Sequence, residues 1–171
     1  FDLISKVDAI IICVPTPLNK YREPDLSYIE ITISKIKPYL KKGQIISLES
    51  TSYPGTTEEV IMPKIEEMGF KVGEDFFMIY SPEREDPGND DFGTSSIPKI
   101  IGADSDAGRA MAIALYQGVI SKVISVSSSR VAEAIKLTEN IFRSVNIALV
   151  NELSIIFNKM NIKQSISNKL N

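Results

Sequence analysis

The sequence predicts an α/β fold: a parallel β-sheet followed by one long helix. Up to residue 127, short apolar runs alternate with segments of helical periodicity. This alternation is typical of parallel strands joined by helical crossovers. From Ser128 to about Met160, apolar residues recur at spacings of three and four, which predicts a single helix roughly 45–50 Å long.

The first strand is predicted at Ala9–Val14, a continuous apolar run that ends at Pro15. Its composition indicates a central strand, so we interpret Cys13 as a buried structural thiol. Further strands are predicted at Ile45–Leu48, Phe76–Tyr80, Lys99–Gly102 and Val123–Val126, with helices at about 25–40, 56–68 and 104–117.

Composition excludes several classes of protein and site. The chain has 171 residues and a net charge of −3 without a basic cluster, so nucleic acid is not an expected partner. No apolar run reaches the ~18 residues of a membrane span. A single cysteine fits a reducing, cytoplasmic compartment. Histidine is absent and no metal-ligand spacing appears, so acid–base chemistry must use other residues and no metal site is expected.

Three predicted strands end in small polar residues beside proline: at 15–17, 50–52 and 81–83. Ligands of parallel sheets bind beyond the carboxyl ends of the strands, so we expect these three strand tips to line one crevice. Glu83 closes the third tip and is the best acid–base candidate, because partial burial would raise the pKa of a carboxyl there. The alternative is a solvated loop acid.

The long helix carries a polar stripe. Lys136, Asn140 and Arg143 stand at i, i+4 and i+7, so two cations and an amide share one face that could hold an anionic or polar ligand. The alternative is an ordinary solvated face. The nearly all-round apolar composition of the helix indicates burial instead.

Several spaced motifs resemble one family. They are DAIIICVPTPLN, DLSYIE, SLESTSYPGTTEEV, YSPEREDPGN, KIIGADS and KLTENIFRSVNIALVNEL. In this order they are similar to UDP-glucose/GDP-mannose dehydrogenases, most of all to the UDP-N-acetylglucosamine 6-dehydrogenase branch, over about residues 7–162. The resemblance implies a Rossmann-like domain and NAD-dependent oxidation of the C6 alcohol of a UDP-sugar to a carboxylate. It also implies covalent intermediates on a cysteine.

The resemblance implies roles for individual residues. Ser52 matches a threonine that positions a catalytic water, Glu83 matches the acid–base glutamate, and Lys136 and Asn140 match a pair that binds substrate and stabilises oxyanions. Cofactor contacts are implied for Val14, Pro15, Thr16, Thr51 and Ser52, and substrate contacts for Arg84 and, from the helix stripe, Arg143.

Three family parts have no counterpart here: the first strand with its glycine-rich turn, the later G-G-H-C segment with the nucleophilic cysteine, and the UDP-binding third domain. We therefore expect a truncated chain, with the C-terminal part of an NAD-binding domain at 1–127 and the start of a central helical, dimer-forming domain at 128–171. Such a chain alone should not turn over substrate. Alternative interpretations are a non-catalytic dimerisation or nucleotide-binding remnant, and an enzyme of the β-hydroxyacid dehydrogenase type.

Overall fold

The computed structural model describes residues 2–83 and 97–162 and divides into two compact units, Phe1–Lys136 and Leu137–Asn171. Five strands form one sheet in the order β1-β2-β3-β4-β5: Ala9–Ile12, Ile45–Leu48, Phe77–Tyr80, Lys99–Gly102 and Val123–Val126. The α-helices are α1 (Ser27–Ile36), α2 (Met62–Glu66), α3 (Asp106–Tyr116) and α4 (Ser129–Lys159). A π-helical stretch, Thr56–Ile61, precedes α2, and short 3-10 turns lie at Ile4–Lys6 and Lys37–Tyr39.

The sheet confirms the expected α/β class but is not parallel throughout. β1–β2, β2–β3 and β4–β5 are parallel pairs, whereas β4 runs antiparallel to β3, with Tyr80 opposite Gly102. The sequence between these two strands is rich in turn formers and lacks helical periodicity. A parallel partner would need a crossover, usually helical, but an antiparallel partner does not.

In the described sheet the first strand lies at an edge and not at the predicted central position. Within the described sheet β1 pairs with β2 alone, and the side chain of Ile11 is 50% exposed. Cys13 lies just past the end of β1 and is exposed, so it is not a buried structural thiol. An apolar run indicates a strand, but it does not specify which edges of that strand are paired.

The core of the first unit lies on both faces of the sheet. Ile46 and Leu48 of β2 pack on the α1 side, where Ile29 and Ile33 are fully buried. Ile45 faces the other side, in a cluster that includes residues of α3. The alternation follows from the strand period of two and gives a helix–sheet–helix arrangement.

The predicted long helix forms, and within the single chain most of its length is not buried. The buried residues of α4 are Ser129, Ala132 and Glu133, all in the first unit. From residue 137 to 162 every side chain is exposed or half-buried, and Phe142 is 71% exposed. Among the helices of the described ranges, none is both long enough and apolar enough to cross a membrane.

Candidate functional site

The three strand tips meet at one edge of the sheet, as the crevice hypothesis requires. β1, β2 and β3 are adjacent and parallel, so their carboxyl ends coincide. The Ser50 hydroxyl, after β2, donates to the Val14 carbonyl oxygen, after β1, at 2.7 Å. The Ser81 amide, after β3, donates to the Leu48 carbonyl oxygen at 2.9 Å. These bonds tie the three tips into a continuous edge.

The residues of this edge differ in accessibility. Pro15 and Thr51 are exposed, and Val14 and Thr16 are half-buried, so these four are open to a ligand. Ser52 is buried, and its hydroxyl lies 3.5 Å from the Glu133 carboxylate. In this structure the Ser52 side chain is therefore directed into the protein.

Glu83 and the start of α4 are close together. The Lys136 ammonium donates to the backbone carbonyl oxygen of Glu83 at 2.7 Å. The Glu83 carboxylate is not deeply buried, since its side chain is 43% exposed, and one of its oxygens lies 3.7 Å from the Lys99 ammonium. Tertiary folding thus brings a cation of the helix stripe to the third strand tip.

A second charged group at this edge was missed by the sequence reasoning. Lys99, the first residue of β4, is buried, and its ammonium lies 3.1 Å from Glu49, the residue after β2. The other Glu49 oxygen accepts a 2.6 Å hydrogen bond from the Tyr116 hydroxyl, whose oxygen is also 2.6 Å from the Ser47 hydroxyl. Burial and the bond to Glu49 raise the pKa of Tyr116 well above its ordinary value.

Lys99 was missed because β4 runs antiparallel to β3, which the sequence analysis did not predict. If β4 were parallel to β3, its first residue would lie at the opposite edge of the sheet from Glu83. The available signal was the sequence between the two strands, because its lack of helical periodicity favours an antiparallel pairing.

Glu133 joins α4 to the segment after β2. Its fully buried carboxylate accepts hydrogen bonds from the Gly55 amide (2.6 Å), the Thr57 amide (2.9 Å) and the Thr57 hydroxyl (2.7 Å). Burial raises the pKa of Glu133, and the hydrogen bonds offset only part of that rise. Gly55 has φ of 102°, in the left-handed region that favours glycine. The start of α4 is therefore held to the 52–57 turn.

The pKa values of two further groups at this edge, the Tyr80 hydroxyl and the Cys13 thiol, are raised. The Tyr80 hydroxyl is buried without a hydrogen-bond partner in the described structure, and burial raises the pKa of Tyr80 to about 12. The pKa of the Cys13 thiol is also raised, first by burial and then by Glu49 and Glu83, while Lys99 lowers it. A raised pKa keeps Cys13 mainly as the weakly nucleophilic thiol at neutral pH.

The remaining predicted residues lie elsewhere. Asn140 and Arg143 belong to the second unit, where Asn140 is half-buried and Arg143 is exposed. Arg84 falls outside the described residues. No group of three or more carboxylates and thiols with metal-binding geometry occurs within 2–83 and 97–162.

Comparison with known proteins gives two consecutive family matches. Residues 2–120 match the NAD binding domain of the UDP-glucose/GDP-mannose dehydrogenase family, and residues 130–166 match its central domain. The chain is 42% identical over 161 residues to a UDP-N-acetyl-D-glucosamine 6-dehydrogenase of Pseudomonas aeruginosa, covering 93% of the chain and 38% of the relative. It is 40% identical over 162 residues to a UDP-N-acetyl-D-mannosamine dehydrogenase of Yersinia pestis, covering 91% and 39%.

A solved structure of the UDP-N-acetyl-mannosamine dehydrogenase Cap5O from Staphylococcus aureus is also similar. The TM-score is 0.80 at 39% identity, over 90% of this chain and 38% of that one. The chain thus spans well under half the length of each of these three relatives.

Proposed function

We propose a function for this chain from one premise: it belongs to the UDP-glucose/GDP-mannose dehydrogenase family. The proposed function is to form part of an NAD-dependent 6-dehydrogenase that oxidises the C6 alcohol of a UDP-N-acetylhexosamine to a carboxylate. The N-acetylhexosamine is favoured because UDP-N-acetylglucosamine and UDP-N-acetylmannosamine dehydrogenases are among the similar proteins.

We propose that residues 1–127 are the C-terminal part of the NAD-binding domain and that residues 128–171 begin the central helical domain. The order and extent of the two family matches support this division. We also propose a homodimer formed through α4, because the large apolar side chains exposed on its second-unit part would be buried by association. The compartment proposed for the protein is the cytoplasm.

The strand edge fits a dinucleotide. Thr16 and Thr51 offer hydroxyl groups, and Val14 and Pro15 offer small apolar surface, at the carboxyl edge of parallel strands. Ser52 belongs to the same tip, although its hydroxyl faces Glu133. These five residues would hold NAD, which when bound accepts the electrons removed from the sugar alcohol.

Glu83 is proposed as the acid–base residue. Its side chain is partly exposed at the third tip, so a substrate hydroxyl or a water could come within hydrogen-bond reach. Lys136 would supply positive charge where an alcohol oxygen develops negative charge, with Asn140 as a neutral donor. Arg84 and Arg143 are proposed substrate contacts, and Ser52 is the proposed counterpart of the water-positioning threonine.

The observation that carries this proposal is the 2.7 Å hydrogen bond from Lys136 to the Glu83 backbone. It joins Lys136 to the third strand tip, two points that are separated by 53 residues of sequence. The match to both family domains supports this interpretation over a β-hydroxyacid dehydrogenase-like enzyme or a non-catalytic remnant.

Amide signals in the NMR spectrum of the 171-residue chain test ligand binding. We expect NAD to shift the signals of Thr16 and Thr51, and UDP-N-acetylglucosamine to shift those of Glu83 and Lys136. Lys136→Met should weaken sugar-nucleotide binding about tenfold or more, the equivalent of one charge-assisted hydrogen bond. Lys122→Met, which removes an exposed lysine, is the matched control. Absence of shifts with both ligands at millimolar concentration would refute the proposal.

Turnover is tested separately by following NADH absorbance with the same chain, NAD and UDP-N-acetylglucosamine. We expect no steady NADH formation, because the single cysteine, Cys13, has a raised pKa and does not match the family nucleophile. Sustained NADH formation would show that the chain is complete for catalysis.

A further inference from the structure

A buried ammonium group lies between two carboxylates at the carboxyl edge of the sheet. Lys99 is only 8% exposed, and its ammonium is 3.1 Å from one oxygen of Glu49 and 3.7 Å from one oxygen of Glu83. A buried charge is tolerated only when it is paired, and Glu49 provides that pairing. The contact with Glu83 is additional to it.

On the Glu49 side the ammonium has a fixed position. The Glu49 side chain is only 8% exposed, and its second oxygen accepts the 2.6 Å hydrogen bond from Tyr116. The ring of Tyr116 also faces the ammonium, at 4.9 Å from the ring centroid. These two contacts, with Glu49 and with the ring of Tyr116, leave Lys99 little rotamer freedom.

On the Glu83 side the backbone is fixed and the carboxylate is more accessible. Tyr80 is paired with Gly102 across the antiparallel β3–β4 ladder, and continuing the same register places Glu83 opposite Lys99. The Ser81 hydroxyl donates to the Ile100 carbonyl oxygen at 3.0 Å, which extends the contact beyond the strand end. Lys136 holds the Glu83 carbonyl oxygen. The Lys99 ammonium then faces the Glu83 carboxylate at the neighbouring strand end.

We propose that Lys99 is a positioning residue for Glu83: with its ammonium fixed by Glu49 and Tyr116, it holds the Glu83 carboxylate at the strand edge. A separation of 3.7 Å is an ionic contact rather than a tight hydrogen bond, so the carboxylate keeps lone pairs to accept a proton. The consequence for catalysis rests on the function proposed above, because it requires Glu83 to be the acid–base residue. The ion pair between Lys99 and Glu83 does not depend on that function.

The reactivity of the Cys13 thiol can report on the position of the Glu83 carboxylate. It lies just past β1, it is exposed, and the pKa of its thiol responds to Glu49, Glu83 and Lys99. The effect of Glu83 on the thiol depends on where its carboxylate is held. Removing the Glu83 charge should therefore change the reactivity of Cys13 strongly when the carboxylate is fixed and weakly when it is free to turn into solvent.

The experiment measures the rate of Cys13 with an aromatic disulfide reagent at neutral pH, in the ligand-free chain. Glu83→Gln should speed the reaction roughly threefold, because removing a nearby negative charge favours the reactive thiolate of Cys13. In a Lys99→Met background we expect the same substitution to have less than half of that effect on a logarithmic scale. An equal effect of Glu83→Gln in both backgrounds would overturn the proposal.

Three controls separate positioning from general destabilisation. Lys99→Arg keeps a cation and should retain most of the Glu83→Gln effect, and Lys122→Met, at an exposed lysine, should retain all of it. Circular dichroism verifies that each variant folds. If Lys99→Met does not fold because Glu49 loses its cation, the effect of Glu83→Gln is measured instead in Glu49→Gln/Lys99→Met, which removes both charges. Because no ligand is used, the measured rate of Cys13 does not depend on whether the chain binds NAD or a sugar nucleotide.

Discussion

The first two turns of α4 and the remainder of the same helix have similar periodicity but very different surroundings. Within the first unit, Ser129 is held by both oxygens of Asp104, Glu133 by the 55–57 backbone, and Lys136 by Glu83. In the second unit, no described residue of the helix is buried, and large apolar side chains face solvent. The polar start of the helix is the better packed part, and the apolar part is exposed.

This contrast shows that periodicity predicts a helix but does not predict what covers it. The start of α4 approaches the sheet so closely that a side chain at Gly102 would lie 2.3 Å from the Ser128 carbonyl oxygen. Because α4 begins so close to the sheet, Ser129 and Glu133 are buried, and their polar groups need hydrogen-bond partners. The apolar stripe of the second unit instead needs a surface that the described residues of that unit do not supply.

The largest expected effect is at the buried carboxylate. Glu133→Ala should lower the free energy of unfolding of the first unit by on the order of 3–5 kcal/mol, because two buried amides and one hydroxyl lose their acceptor. Urea denaturation measures the change. Glu152→Ala, which removes an exposed glutamate from the same helix, is the matched control. Equal stability of the two variants would show that the hydrogen bonds of Glu133 do not hold the helix start.

The second expected effect concerns the exposed apolar part of α4. Phe142→Asp should raise the dissociation constant of the proposed homodimer roughly 10- to 100-fold, because a charge replaces a large exposed aromatic side chain at the interface. Sedimentation over a concentration series measures it. Unfolding of the first unit should not change. A wild-type chain that is monomeric at every concentration would refute the proposed dimer.

The third expected effect is a pH dependence of stability that arises from Glu133. Its pKa is raised on folding, so the folded chain binds this proton more tightly than the unfolded chain does. Its contribution is therefore complete below the unfolded pKa and is lost as pH rises through the folded pKa. The difference in unfolding free energy between wild type and Glu133→Gln should fall with rising pH in that window. A difference that grows with pH would mean that the hydrogen bonds outweigh burial.

The smallest expected effect is at Arg130, which neighbours Glu133 in the sequence but pairs at the surface with Glu58 (2.9 Å) and Glu59 (2.6 Å). Exposed ion pairs contribute little, because water and salt screen them. Arg130→Ala should leave the urea midpoint unchanged within error at moderate salt. A loss comparable to that of Glu133→Ala would remove the distinction between buried and exposed contacts in this helix.

Much of the fold was predictable because it depends on local pattern. Three strands, Ile45–Leu48, Lys99–Gly102 and Val123–Val126, have the bounds that their apolar runs predict. The buried face of α1 follows from the spacing of Ile29, Ile33 and Ile36. In α3, by contrast, the spacing of the apolar residues Ala107, Met111 and Leu115 would predict an inward face, but these residues are exposed or half-buried. The buried residues are Gly108, Ala112 and Tyr116. A rotation of one residue is within the resolution of a periodicity argument.

The residues of the candidate site that lie at the predicted strand tips could be predicted from the sequence. The residues whose position depends on how the strands pair could not. Glu83 and the tips at Val14 and Ser50 follow from the rule that ligands bind at the carboxyl edge of parallel strands. Lys99 and Glu49 did not emerge, because their meeting depends on the direction of β4. Cys13 was misplaced for a related reason, since the end of β1 and its exposure depend on neighbours rather than on apolar composition.

By itself the sequence determined the strands, the long helix and the family, because each depends on residues that are close along the chain or on motifs in a fixed order. The tertiary structure alone decided that β4 runs antiparallel to β3, that Lys99 lies between two carboxylates and that Glu133 is buried. Those facts depend on which surfaces meet. Charges distant in sequence become partners only after the backbone has brought them within a few ångströms.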